Sequence, residues 1–238
     1  RPFEYLKSTV QPFRAARERD WFRNCWWELY APRPEMRLAL RPLQRYLVTP
    51  RVSKHRLFMW LDTVVLPDCQ LFAFADSDDH FFGILHSRPH ETWARAQGTQ
   101  VRERESGFRY TPTTCFETFP FPEPTDEQRA AIASAAKELD ELRSRWLNPP
   151  EWTRTEVLEF PGSADGPWKR YLDPATVDER GIGTVRYPRL VPKADECAKQ
   201  LKNRTLTNLY NERPTWLRLA HERLDRAVLA AYAQVDPG

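Results

Sequence analysis

Residues 45–75 read RYLVTPRVSKHRLFMWLDTVVLPDCQLFAFA. Three short runs stand out in this stretch: Tyr46-Leu-Val-Thr49, Leu57-Phe-Met-Trp-Leu61 and Gln70-Leu-Phe-Ala-Phe-Ala75. Each is rich in β-branched and aromatic residues, and Pro50 and Pro67-Asp68 punctuate them, so they predict strands of a small sheet. Downstream, Asp78 or Asp79 is placed to cap a helix carrying Phe82, Leu85 and Trp93, which Pro89 divides into two pieces. Residues 97–107 are polar and bounded by glycines, which predicts a loop, and Phe108 to Phe119 reads as a strand or extended segment ending in Phe-Pro-Phe-Pro. Upstream, residues 13–30 predict a helix with an apolar face of Trp21, Phe22, Trp26, Trp27, Leu29 and Tyr30. A second short helix, Glu35 to Leu40, ends at Pro42.

The C-terminal half has a different texture. Thr125-Asp-Glu-Gln128 is a capping box opening a helix to about Leu147, with Ile132, Ala136, Leu139, Leu142 and Trp146 three and four residues apart. Residues 148–192 show no clear period and predict a long irregular stretch pinned by its aromatic residues across another surface. Residues 193–203 predict a helix, and Pro214-Thr215 opens a last amphipathic one carrying Trp216, Leu219, Leu224, Val228 and Leu229. The expected fold is α+β: a helical lead-in over 1–44, a mixed small-sheet recognition domain over 45–122, and a mainly helical C-terminal segment over 123–238.

Composition narrows the function classes. The eight glycines of the 238 residues are too few and too scattered for a nucleotide-binding turn. Four cysteines lie far apart without a C-x-x-C pair, which argues against a zinc ribbon or disulfide scaffold and fits a reduced, cytoplasmic protein. No apolar run approaches the roughly 20 residues of a membrane span. The chain starts at Arg1 and is expected to be a fragment or processed product. Net charge is only +3, but residues 1–60 carry +8 and the following 120 residues are acidic. Arginine outnumbers lysine by 29 to 7, a ratio that suits phosphate and guanine recognition and also suits a simple codon bias.

Catalytic constellations are absent. Asn148-Pro-Pro-Glu151 resembles the Asn/Asp-Pro-Pro-aromatic motif of amino-group DNA methyltransferases, but Glu151 stands at the aromatic position, and two prolines ending a helix explain it more simply. His86 and His90 have zinc-site spacing, yet Pro89 lies between them and an ordinary polar helix face accounts for both. Asp76-Ser-Asp-Asp79 lacks the remainder of a calcium loop. No nucleophile elbow and no Walker loop occurs. What remains is recognition chemistry. The turn holding Arg51, Ser53, Lys54, His55 and Arg56 offers cations and a hydroxyl to phosphates, or is a solvated turn. The loop Arg102-Glu-Arg-Glu-Ser-Gly-Phe-Arg109 offers Arg to guanine and Glu to cytosine, or is a solvated charged loop.

The ordered series Arg45–Arg56, Leu66-Pro-Asp68, Phe82-Gly-Ile-Leu-His-Ser87, Trp93, Phe108-Arg-Tyr110 and Phe116-Glu-Thr-Phe-Pro-Phe-Pro122 resembles the C-terminal part of MmeI-like (type IIL) restriction–modification enzymes and their DNA-methyltransferase relatives. The resemblance implies a DNA target recognition domain with a helical segment behind it. It also implies base-reading positions just before the Arg-Tyr motif, at Glu105, Gly107 and Arg109, and at the Pro-Asp turn, at Asp68 and Cys69. Gly107 has no side chain to read a base, so its role passes to Arg104 or Arg102. The partners implied are double-stranded DNA and the N-terminal methyltransferase domain of the same parent polypeptide. S-adenosylmethionine would be bound there, with no cofactor and no metal in this chain and no catalysis of its own. The rival expectation is a protein-interaction module within a phage-defence complex, docking through the aromatic helix and the 148–192 stretch.

Overall fold

The computed structural model describes residues 2–17, 19–28, 33–100 and 107–233, which fall into two compact units, 1–39 and 40–238. In the first unit, α1 (Pro2–Ala15), α2 (Asp20–Asn24) and α3 (Pro34–Leu40) replace the helix expected over 13–30. The physical reason is in the aromatic spacing. Trp21-Phe22 and Trp26-Trp27 are five residues apart, so on one helix the two pairs would point roughly 140° away from each other. The chain instead breaks at Ala16-Arg17 and folds around Trp26, which is buried with the Phe3 ring 5.5 Å away.

The second unit begins with β1 (Arg45–Pro50), β2 (Val52–Ser53), β3 (Met59–Asp62) and β4 (Leu71–Phe74). The helices α4 (Asp79–His86) and α5 (Arg88–Gln97) follow, separated at Ser87 just before Pro89 as the sequence predicts; Asp78 caps α4 by accepting from His80 N–H. Then come β5 (Thr99–Gln100), β6 (Phe108–Arg109) and the single turn α6 (Pro112–Cys115). The strand expected over 108–119 is therefore only two residues long, because Pro112 has no N–H to give a ladder and starts a helical turn instead. The capping box at Thr125 is present and opens α7 (Asp126–Leu147). Then come β7 (Thr153–Ser163), β8 (Ile182–Pro192), α8 (Asp195–Leu201), α9 (Leu206–Glu212) and α10 (Thr215–Tyr232).

β1 is the centre of one antiparallel sheet in the order β3-β1-β4, and Tyr46, Leu47 and Val48 are fully buried on it. A second small sheet has the order β2-β6-β5. The expectation of an irregular stretch over 148–192 is corrected: β7 and β8 pair antiparallel from Thr153↔Pro192 to Ser163↔Ile182. The pattern was disguised by Pro161 and Pro188, which an interior strand would exclude. A two-stranded ribbon has only edges, and edges tolerate proline. Aromatic residues do hold this ribbon. Trp168 lies 5.1 Å from both the Phe160 and Tyr187 rings, and Tyr171 and Arg170 both reach Asp62 at the end of β3.

The helical layer packs α7 against both α4 and α10. Leu217, Ala220, Leu224, Val228 and Ala231 form the buried stripe of α10, three and four residues apart. Gly83 permits the close approach, since a Cβ there would sit 2.7 Å from Ile132 Cγ2 and 3.1 Å from Ala136 Cβ. One core runs from Leu47 and Phe58 through Phe82 and Leu139 to Ala231. The expected boundary at 122/123 thus separates no domains: the helices after it complete the core of the sheets before it. The class is α+β, and no described helix is long and apolar enough to cross a membrane.

Candidate nucleic-acid interface

The β2-β6-β5 sheet gathers segments that lie far apart in sequence. Arg109 sits on the central strand, with Val52 its partner on one side and Thr99 on the other. All three are exposed, while Phe108, on the opposite face of the same strand, is buried. Alternation along the strand dictates this division. Gly98 fits under the sheet because it lacks a side chain: a Cβ there would stand 2.5 Å from the Phe108 ring.

Arg51 joins this sheet to the Pro-Asp turn. Its N–H donates to Gln70 C=O at 2.8 Å, and its own C=O accepts from Tyr110 N–H at 2.8 Å. Its guanidinium donates to Cys69 C=O at 3.2 Å and lies 5.5 Å from the Phe72 ring centre. The turn itself is held by Asp68, whose Oδ1 accepts from Gln70 N–H at 2.7 Å. Asp68 and Cys69 are both exposed. The structure therefore brings Arg51, Asp68, Cys69 and Arg109 to one place.

The 51–56 turn divides into outward and inward residues. Ser53 Oγ donates to His55 C=O at 2.8 Å and so shapes the turn. His55 Nε2 lies 2.9 Å from Asn211 Oδ1 at the end of α9, a partner that no local sequence signal could have supplied. Lys54 is exposed, and no polar contact to its side chain exists among the described residues. Arg56, expected among the phosphate contacts, points inward and is 5% exposed. It donates to Thr49 Oγ1 at 3.0 Å, to Phe108 C=O at 3.3 Å and to Pro50 C=O, with the Tyr110 ring 4.9 Å away. Burial pushes its pKa down to about 10, so it remains a cation at neutral pH.

A second buried group supports the same strand. His90 Nδ1–H donates to Leu85 C=O at 2.7 Å, which leaves Nε2 to accept from Tyr110 OH at 3.1 Å. Burial lowers the His90 pKa to about 4 and raises that of the Tyr110 phenol. His86 is also buried, with Nε2 2.9 Å from Arg143 Nη1. Both histidines belong to internal networks, and the described residues contain no group of three or more His, Cys, Asp or Glu suited to a metal ion. Asn148 terminates α7, and Pro149 C=O accepts from Trp152 N–H, Thr153 N–H and the Thr153 hydroxyl, so Asn-Pro-Pro is a helix stop.

Gly107 is buried immediately before β6. Arg102, Arg104 and Glu105 lie outside the described residues. Val52 and Thr99 escaped the sequence reading because two-residue strands carry no measurable period.

The chain resembles known proteins in sequence and in fold. Residues 12–123 match the model of the family described as MmeI, target recognition domain. This part of the chain is similar to an MmeI-type target recognition domain. DNA methyltransferase A of Bacillus subtilis (strain 168) is 32% identical over 103 residues, which is 41% of this chain and 11% of that protein. The solved structure of the type IIL restriction–modification enzyme MmeI in complex with DNA aligns with all of this chain at a TM-score of 0.59 and 20% identity, using 24% of its own length. The likeness to that structure is one of fold. The chain thus spans between a tenth and a quarter of these relatives. Every residue of the exposed row, the 51–56 turn and the Pro-Asp turn lies inside the MmeI-type match, whereas Asn211, the partner of His55, lies beyond it.

Proposed function

We propose that this chain is the sequence-reading module of a larger S-adenosylmethionine-dependent N6-adenine DNA methyltransferase, a cytoplasmic enzyme of restriction–modification or phage defence. The observation that carries this reading is the in-register placement of Arg109 beside the 51–54 turn, one bond from the Asp68–Gln70 turn, on an exposed face within the target recognition match. Arg109 donates to guanine O6 and N7 in the major groove of duplex DNA. Arg102, Arg104 and Glu105, which precede Arg109 in sequence, are further candidate base readers. Asp68 can accept from cytosine N4, and Cys69 stands beside it. Arg51 and Lys54 hold phosphates, while Ser53 and His55 fix the turn that presents them. Arg56 stays inside and supports the strand.

Methyl transfer belongs to a methyltransferase domain of the same parent polypeptide, acting on a flipped adenine. We place S-adenosylmethionine in that domain; the open pocket of about 400 Å³ lined by Pro42–Arg45, Ser77 and Arg170 offers neither an acidic residue for the ribose nor an aromatic face for the adenine.

The test is to titrate this chain against duplex DNA over a range of salt. With Arg51 and Lys54 on phosphates, log K should fall with log salt with a slope of about −2 or steeper, at roughly −0.9 per phosphate. No binding at low salt, with tight capture of a protein component of a defence complex through the exposed Phe3, Tyr5, Phe13 and Trp27, would overturn the reading in favour of a protein-interaction module.

A further inference from the structure

Val52 is an anomaly on the recognition face. It is a large apolar side chain, 44% exposed, between Arg51 and Ser53 in an otherwise polar turn. Its position is fixed, since it pairs with Arg109. The neighbouring bond, from Tyr110 N–H to Arg51 C=O, makes Val52–Arg109 the non-hydrogen-bonded kind of pair, in which side chains stand closest. Thr99 pairs with Arg109 from the other side and is also exposed. The face therefore presents a row of three: a branched apolar group, a guanidinium, and a hydroxyl with a methyl.

Adjacent strands lie about 4.8 Å apart, so Val52 and Thr99 each stand about that distance from Arg109 across the row. Successive bases of one strand are about 3.4 Å apart. A guanidinium on a guanine edge thus brings its two neighbours over bases one or two steps away. The major-groove group that suits an exposed valine is the thymine C5-methyl, the one apolar feature the groove offers. A threonine methyl matches the same group, and its hydroxyl serves either base type.

We infer that Val52 is a specificity-determining residue that reads a thymine C5-methyl one or two base pairs from the guanine engaged by Arg109, with Thr99 making the corresponding contact on the other flank. The inference rests on the DNA-reading role given above to Arg109. It adds a purely aliphatic element to a recognition surface otherwise read through its charged and polar groups, and it turns a single reading side chain into a row spanning several base pairs.

The experiment uses the full-length parent methyltransferase and duplexes containing its mapped methylation motif. Each thymidine within two base pairs of the Arg109-dependent guanine is replaced in turn by deoxyuridine, which differs only by the C5-methyl. Burial of one methyl group is expected to make one such duplex bind about three- to fivefold more weakly than its thymidine parent. Val52→Ala should bind the two duplexes alike, and Thr99→Ala should act likewise on the other flank. Equal binding of all thymidine and deoxyuridine duplexes by the unaltered enzyme would overturn the inference. So would full retention of the distinction by Val52→Ala, or a motif with no thymine in that window. Failure of the underlying reading looks different: Arg109→Ala would then leave the guanine requirement intact.

Discussion

Arg56 separates two physical accounts of the 51–56 turn. If it were a phosphate ligand, replacing it would weaken DNA binding and leave the fold alone. The structure places it inside, so Arg56→Met should do the reverse. Methionine keeps an apolar stem but removes the donors to Thr49 Oγ1, Pro50 C=O and Phe108 C=O. Bonds from a charged donor contribute about 1.5–3 kcal/mol each. Against that loss, the variant no longer buries a cation, and a pKa pushed down to about 10 puts that offset at about 3 kcal/mol. The net expectation is a destabilisation of about 1.5–6 kcal/mol. For a unit of this size each kcal/mol lowers Tm by about 2–4 °C, so a fall of roughly 10 °C is expected in a thermal melt, with a matching drop in urea midpoint. Lys54→Ala is the control: its Tm should stay within about a degree, while the slope of log K against log salt becomes shallower by about 0.9. If Arg56→Met melts like the parent and loses that same increment of salt slope, Arg56 reaches DNA and the inward assignment is wrong.

Further expectations test the frame behind the face. Gly83→Ala should destabilise by about 1–3 kcal/mol, because its Cβ would meet Ile132 Cγ2 at 2.7 Å and force α4 off α7; an unchanged urea midpoint would refute the close packing. His90 and His221 have pKa values lowered by burial from 6.5 to about 4, and His86 lies well below 6.5 for the same reason. A lowered folded-state pKa means that the unfolded chain binds more protons, so this stability is fully present above about pH 6.5 and is lost as pH falls through about 4. His90 alone accounts for about 3 kcal/mol over that window; a urea midpoint that stays flat between pH 7 and 4 would contradict the buried neutral networks. Tyr171→Phe removes the hydroxyl that donates to Asp62 at 2.5 Å and should cost about 1 kcal/mol, read as faster hydrogen exchange at the ends of β7 and β8.

Much of this fold can be read in the chain because its signals are local. The strands at 45–50, 59–62 and 71–74 carry β-branched and aromatic runs between prolines, the Thr125 capping box announces α7, and Pro89 marks the division of α4 from α5. The β7–β8 ribbon was illegible for a physical reason: with both strands at an edge, proline and charge are permitted where an interior strand would forbid them. The apparent boundary at residue 122 misleads because α7, which follows it, packs against α4, which precedes it, and carries α10 on its other side, and nothing local encodes that choice of partner. The candidate face was legible only in its motif residues: Arg51 is bonded to the Asp68–Gln70 turn and to Tyr110, next to Arg109. The neighbours of Arg109, Val52 and Thr99, depend on pairing between segments about 60 and 10 residues away, which the sequence does not declare. The inward turn of Arg56 depends equally on its ring and carbonyl partners, Phe108 and Tyr110, more than 50 residues on.

The central claim is that Arg109 reads a base. Sequencing that detects N6-methyladenine, on DNA from cells expressing the full-length parent or its Arg109→Ala variant, tests it most directly. The account expects the parent to mark a fixed motif containing a guanine and the variant to relax at that one position. Discrimination there should fall by about 1–3 kcal/mol while the rest of the motif is kept. An identical motif, methylated to the same extent by both proteins, would contradict it.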